Sequence, residues 1–103
     1  MGFDERVWAL IERIPRGRVT TYKIIAERLG SKAYRAVGNA CRRNPNAPKI
    51  PGHRVVNSDG RVGGYMGRTS GAQVGRKIKM LREEGVEVEG GRVLNFEEVL
   101  FRF

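Results

Sequence analysis

The chain has 103 residues with one cysteine and one histidine, and its 20 Lys and Arg outnumber 11 Asp and Glu for a net charge of +9. That length makes one domain, residues 1–103; Cys41 and His53 alone exclude an internal disulfide and fall short of a zinc constellation, so no metal or other cofactor is expected. No apolar run approaches the ~20 residues that cross a bilayer, the acidic start is unlike a secretion signal, and the charge points to a polyanion, either nucleic acid or an acidic membrane surface.

Phe3, Val7, Trp8, Leu10, Ile11 and Ile14 recur with a period of about 3.6 residues, which predicts an amphipathic helix over 4–14 that Pro15 stops. Trp8 lies on the apolar stripe and is read as packing, not as a stacking platform for bases. After a Pro15-Arg16-Gly17-Arg18 turn, Val19-Thr20 leads into a second helix capped by Thr20 or Thr21 and closed by Gly30. A third helix is predicted over 32–43, with Ala36, Val37, Ala40 and Cys41 inward and Arg35, Asn39, Arg42 and Arg43 outward. Two short helices joined by a glycine turn describe a helix-turn-helix, and a basic outer face on the second suits a DNA groove.

Residues 45–65 hold the only histidine and three of the four prolines. Pro45, Pro48 and Pro51 fix φ and remove donors, so the chain should arrive stiff and extended at Gly52-His53. Val55-Val56 reads as a short strand, Asn57-Ser58-Asp59-Gly60 as a turn, and Gly63-Gly64 as a sharp bend or close approach to a ligand, together a pocket wall. Beyond it, Ala72, Val74, Ile78 and Leu81, with Arg76, Lys77 and Lys79 between them, predict a fourth helix ending at Glu84-Gly85. Residues 86–88 and 92–94 predict a hairpin, and Asn95 is the expected cap of a last helical turn over 96–103.

Several separated motifs then line up: Thr21-Tyr22, Arg35-Ala36-Val37-Gly38-Asn39-Ala40, Arg43-Asn44-Pro45, Ile50-Pro51-Gly52-His53-Arg54-Val55-Val56, Gly63-Gly64-Tyr65 and Glu83-Glu84-Gly85. In order and spacing they resemble the C-terminal domain of the O6-alkylguanine-DNA alkyltransferases. The resemblance implies a mainly α fold with a small β component, a (winged) helix-turn-helix that binds DNA in the minor groove and flips a damaged guanine into a pocket. In that family a cysteine in a Pro-Cys-His-Arg-Val motif takes the alkyl group, activated by the adjacent histidine and a glutamate. Here the motif reads Pro51-Gly52-His53-Arg54-Val55. Glycine offers no nucleophile, and Cys41 on the inner face of its helix is expected to be structural.

A chain of this length with no N-terminal domain and no acceptor cysteine resembles the alkyltransferase-like proteins. These bind O6-alkylguanine without repairing it and hand the site to nucleotide excision repair. That subfamily more usually carries Trp or Ala at the position of Gly52, so an alkyltransferase inactivated by cysteine replacement stays open, as does a generic helix-turn-helix regulator. By resemblance, Arg35 fills the space of the flipped base and Tyr22 rotates its phosphate. Thr21, Ala36, Gly38, Asn39, Arg42 and Arg43 join them as DNA contacts, with Lys32 a further candidate from charge. Asn44 braces the loops, while His53, Glu84 and Val55 survive as pocket architecture around Gly52. Tyr65 closes over the base, and Met66, where active members often have serine, favours bulkier alkyl groups. The expected partners are double-stranded DNA carrying O6-alkylguanine and excision-repair proteins, met by a monomer in the cytoplasm (nucleoid) or nucleus, with no membrane.

Overall fold

A computed structural model describes residues 1–103, in which five helices and two small sheets enclose two hydrophobic clusters. Helix α1, Phe3–Ile11, buries Val7, Leu10 and Ile11. It ends three residues sooner than its apolar spacing predicts. Arg13 and Ile14 donate to Leu10 O and Ile11 O at 2.9 and 3.0 Å, so the chain tightens before Pro15 and still delivers Ile14 to the core. Trp8 packs as expected, its Nε1 donating to Ala40 O at 2.8 Å.

Helix α2, Tyr22–Arg28, starts where Thr21 Oγ1 accepts from Ile24 N at 3.0 Å. Gly30, at φ +70°, closes it: Gly30 N donates to Glu27 O at 3.0 Å and Ser31 N to Ala26 O at 2.9 Å. These are the paired bonds of a Schellman ending, and they turn the chain sharply toward the next helix. Helix α3, Tyr34–Arg42, starts two residues later than predicted. Ser31 Oγ takes the Ala33 N–H at 2.9 Å, which holds 31–33 in a turn instead of a helical first turn. The α2–α3 pair is the expected helix-turn-helix, with α1 packed across α3.

Val19-Thr20 is not merely a lead into α2. Thr20–Thr21 forms a two-residue strand, β1, parallel to β2, Val55–Val56, pairing Thr20 with Val55 and Thr21 with Val56. Neighbouring side chains on a strand face opposite ways. Val55 accordingly enters the cluster of α1, α2 and α3, and Val56 enters a second one with Val19, Val62, Leu81, Val86, Val88 and Val93. The central loop is thereby wedged between two cores, which is how a segment with little regular structure is held in one shape.

Helix α4, Ala72–Glu83, matches its predicted range. The hairpin is shorter than predicted, β3 (Val88–Glu89) against β4 (Arg92–Val93), with Gly90 and Gly91 both at positive φ as a type I′ turn requires. The last helix, α5, spans only Phe96–Val99. Asn95 sits at its N-terminus in the left-handed region and its side chain caps nothing. Phe101 N then donates to Val19 O at 2.6 Å, an extended pairing that ends the helix early and straps the C-terminus to the fold.

Candidate DNA-damage site

Gly52, His53 and Arg54 form one 3₁₀ turn between the proline-rich loop and β2. Asn44 fixes the approach: its Nδ2 donates to Ile50 O at 2.8 Å and its Oδ1 accepts from Asn46 N at 3.0 Å, so it braces the loop from within. A Cβ at Gly52 would lie 3.2 Å from Asn44 Nδ2, tight but movable.

Behind Gly52 stands a charge network. Arg54 donates to Glu84 from Nε at 2.9 Å and from Nη2 at 2.8 Å, and its Nη1 donates to Ile14 O at 2.7 Å. Glu84 also meets His53 Nε2 at 2.8 Å. Burial opposes a charged carboxylate, but the bonds from Arg54 and His53 win and bring the Glu84 pKa down to about 2. His53 titrates below its usual value because burial outweighs its carboxylate partner. The neutral ring therefore carries its proton on Nε2, facing Glu84, and its buried Nδ1 has no partner in the protein. Glu84 occupies this place because Gly85, at φ +88°, ends α4 with another Schellman pair: Gly85 N to Arg82 O at 3.0 Å and Val86 N to Leu81 O at 2.9 Å.

Sequence reasoning missed Lys77, which it placed among the basic residues of α4. Its side chain is fully buried and its Nζ donates to Val55 O at 2.7 Å, to Gly64 O at 3.0 Å and to Val62 O. Three carbonyls match the three N–H donors of an ammonium, while burial pushes its pKa down to about 7. A signal existed: with Val74, Ile78 and Leu81, Lys77 completes the inward stripe of α4 at spacings of three and four.

Lys77 ties β2 to the glycines that lead to the pocket rim. Gly63 lies at φ +72° with the Asn57 side chain against it, and a Cβ at Gly64 would stand 2.7 Å from Arg68 O. Both are places that only glycine fills. Tyr65 and Arg68 then exchange backbone bonds of 2.8 and 2.9 Å around Met66 and Gly67, at φ +49° and +79°, a type I′ turn. Tyr65 is buried at its base, while Met66 projects from the tip, 38% exposed and in a conformation few side chains adopt.

Between this turn and the helix-turn-helix lies a cavity of about 190 Å³ lined by Tyr22, Gly38, Cys41, Gly52, Tyr65 and Met66, with Gly64, Arg42 and Gly67–Thr69 completing it. An open groove of about 550 Å³ adjoins it, lined by Lys23, Tyr34, Arg35 and 57–59, and sharing Tyr22 and Gly38. Arg35 stands exposed on the wall of this groove. Cys41 is on the cavity wall as well as against the core, yet burial pushes its thiol up to about 12, so it stays protonated and unreactive.

Other expected site residues lie elsewhere. Asn44, His53 and Glu84 support the cavity from behind without lining it, and Val55 is wholly in the core, where its carbonyl serves Lys77. The Thr21 side chain is buried as a helix cap, so it offers DNA no hydroxyl. Arg43 bonds Asp4 at 2.6 and 3.0 Å across to α1 in an exposed ion pair, so its charge is shared with α1. Ala36 is half-buried on α3, while Asn39, Arg42 and Lys32 are exposed as predicted.

A helix-turn-helix beside a cavity backed by a buried His–Glu pair is the architecture of a DNA-binding domain that carries a pocket. The chain belongs to the family described as the 6-O-methylguanine DNA methyltransferase, DNA binding domain, whose model matches residues 2–86. It is 44% identical over 85 residues to a methylated-DNA–protein-cysteine methyltransferase of Methanosarcina barkeri, covering 82% of this chain and 52% of that protein. The chain thus spans about half the length of such methyltransferases. It is 34% identical to a DNA base-flipping protein of Escherichia coli, over 98% of this chain and 75% of that one. Its fold superposes on S. pombe Atl1, in a complex with damaged DNA containing O6-carboxymethylguanine, with a TM-score of 0.82 over 100% of both chains at 33% identity. The Mycobacterium tuberculosis OGT bound to DNA gives a TM-score of 0.72 over 82% of this chain and 50% of that one, at 38% identity.

Proposed function

We propose that this protein is a non-catalytic sensor of O6-alkylguanine in duplex DNA. The observation that carries the reading is Gly52: the pocket, its His53–Glu84 pair and its brace Asn44 are intact around a position with no nucleophile. The only thiol, Cys41, is held protonated by burial and cannot take over the transfer. The helix-turn-helix docks in the minor groove, and the net charge of +9 supplies the phosphate affinity. Arg35, on the groove that adjoins the cavity, enters the stack while the alkylated base rotates past Tyr22 into the cavity. Flipping costs a few kcal/mol, and least where alkylation has already weakened pairing, so the mechanism itself favours the lesion. Guanidinium suits the vacated space because it is planar and can stack. The bound complex, formed by a monomer in the nucleoid or nucleus, then marks the site for nucleotide excision repair proteins.

Base flipping is tested with a fluorescent purine analogue placed beside an O6-methylguanine. Wild-type protein raises its fluorescence on binding, and Arg35→Ala loses that rise at saturating protein. An equal rise with both proteins would remove Arg35 from the step, and no rise with wild type would contradict flipping.

A further inference from the structure

We propose that Arg42 and Arg68 adapt this pocket to O6 substituents that end in an anion, a carboxylate above all. The inference rests on the lesion-sensor reading and names the adduct class of the same site. Both arginines line the cavity, and no acidic residue does. Neither takes part in the protein's four ion pairs, whereas Arg43, the residue that caps α3, pairs with Asp4.

The turn at the pocket rim positions both residues. A Cβ on Gly67 would lie 2.9 Å from Arg42 Cδ and 3.1 Å from its Cγ, so the Arg42 stem lies directly across the turn that only a glycine allows. Arg68 closes that same turn through its two backbone bonds with Tyr65. One turn therefore holds the Arg42 stem and the Arg68 backbone at the cavity, and a planar fork is the geometry that pairs with a carboxylate. A neutral O6 substituent such as methyl gives that fork no charged acceptor, whereas a carboxylate does. Phosphate-directed charge is available outside the cavity, from Lys23 and Arg35 in the adjoining groove. At the other side Gly52 leaves its place without a side chain, which gives a substituent longer than methyl room within the cavity of about 190 Å³.

The test uses four duplexes that differ at one base: guanine, O6-methylguanine, O6-carboxymethylguanine and the neutral carboxamide analogue of the last. Affinities are measured at one fixed salt concentration for wild type, Arg42→Gln and Arg68→Gln. Wild type is expected to bind the carboxylate about tenfold or more tightly than the carboxamide, the range of a charge-assisted hydrogen bond. Each Gln variant lowers that ratio, which is insensitive to any general loss of DNA affinity, and lysine at the same position recovers part of it. A carboxylate-to-carboxamide ratio near one in wild type, with methylguanine still preferred over guanine, would overturn the inference and leave the sensor reading intact. A ratio unchanged in both Gln variants would make the arginines phosphate contacts and also overturn it. Equal binding to methylguanine and guanine would sink the sensor reading, and this inference with it.

Discussion

Replacing Glu84 with glutamine should remove a pH-dependent part of the stability whose size follows from the site. The carboxylate is only 7% exposed and accepts two bonds from Arg54 and one from His53. Its pKa falls from 4.5 to about 2 on folding, a shift worth about 3 kcal/mol at 1.36 kcal/mol per unit. Because the folded value is the depressed one, this stability is fully present above pH 4.5 and is lost as pH falls through 2. By pH 3 about 2 kcal/mol of it should be gone. Urea unfolding of wild type and Glu84→Gln, compared from pH 7 to pH 3, measures the effect. The variant should start about 3 kcal/mol less stable, since Arg54 and His53 lose the negative charge and one acceptor oxygen of their shared partner, and the gap should narrow to about 1 kcal/mol at pH 3. Other carboxylates act on both proteins and cancel. A gap that stayed constant over this range would refute the argument that a charged Glu84 holds Arg54 and His53 together.

Lys77→Met should weaken lesion preference, measured by the same duplex titrations, because Gly64 loses its tie to the core; an unchanged preference would mean that Tyr65 is positioned without it. In urea unfolding, the wild-type stability attributable to Lys77 should rise with pH above about 7, because the unfolded chain keeps a lysine proton that the folded one releases. The variant should lack that rise, and parallel profiles would contradict a depressed Lys77. Gly52→Cys, which needs Asn44 to yield by only tenths of an ångström, should accept one methyl group per molecule from O6-methylguanine, with His53 as the adjacent base. Mass spectrometry would detect the added methyl. A thiol that stayed unmodified beside bound lesion would mean that the substituent does not face Gly52.

The sequence made some of this legible and hid the rest for physical reasons. Apolar periodicity revealed α1 to α4 and the helix-turn-helix because burial imposes it over several turns. Helix ends were displaced by local bonds, such as Ser31 to Ala33, that periodicity does not carry. The β1–β2 pairing was illegible because two residues are too few to show alternation, and its partners lie 35 positions apart, Thr20 with Val55. Distance in the chain also hid the Arg43–Asp4 bond, which links α1 to the end of α3 across 39 positions. Tyr22, Gly38, Gly52, Tyr65 and Met66 do converge on one cavity, and they came from motif resemblance, not from periodicity. Arg68 and Thr69 were overlooked since nothing in an exposed loop's composition says which way a cavity opens.

The most direct test of the sensor account is one titration with two matched duplexes, one carrying a single O6-methylguanine and the other guanine, followed by analysis of the recovered DNA. The account predicts tighter binding to the methylated duplex, affinity for both that falls steeply with salt, and complete retention of the methyl group. Equal affinity for the two, or DNA recovered without its methyl group, would contradict it.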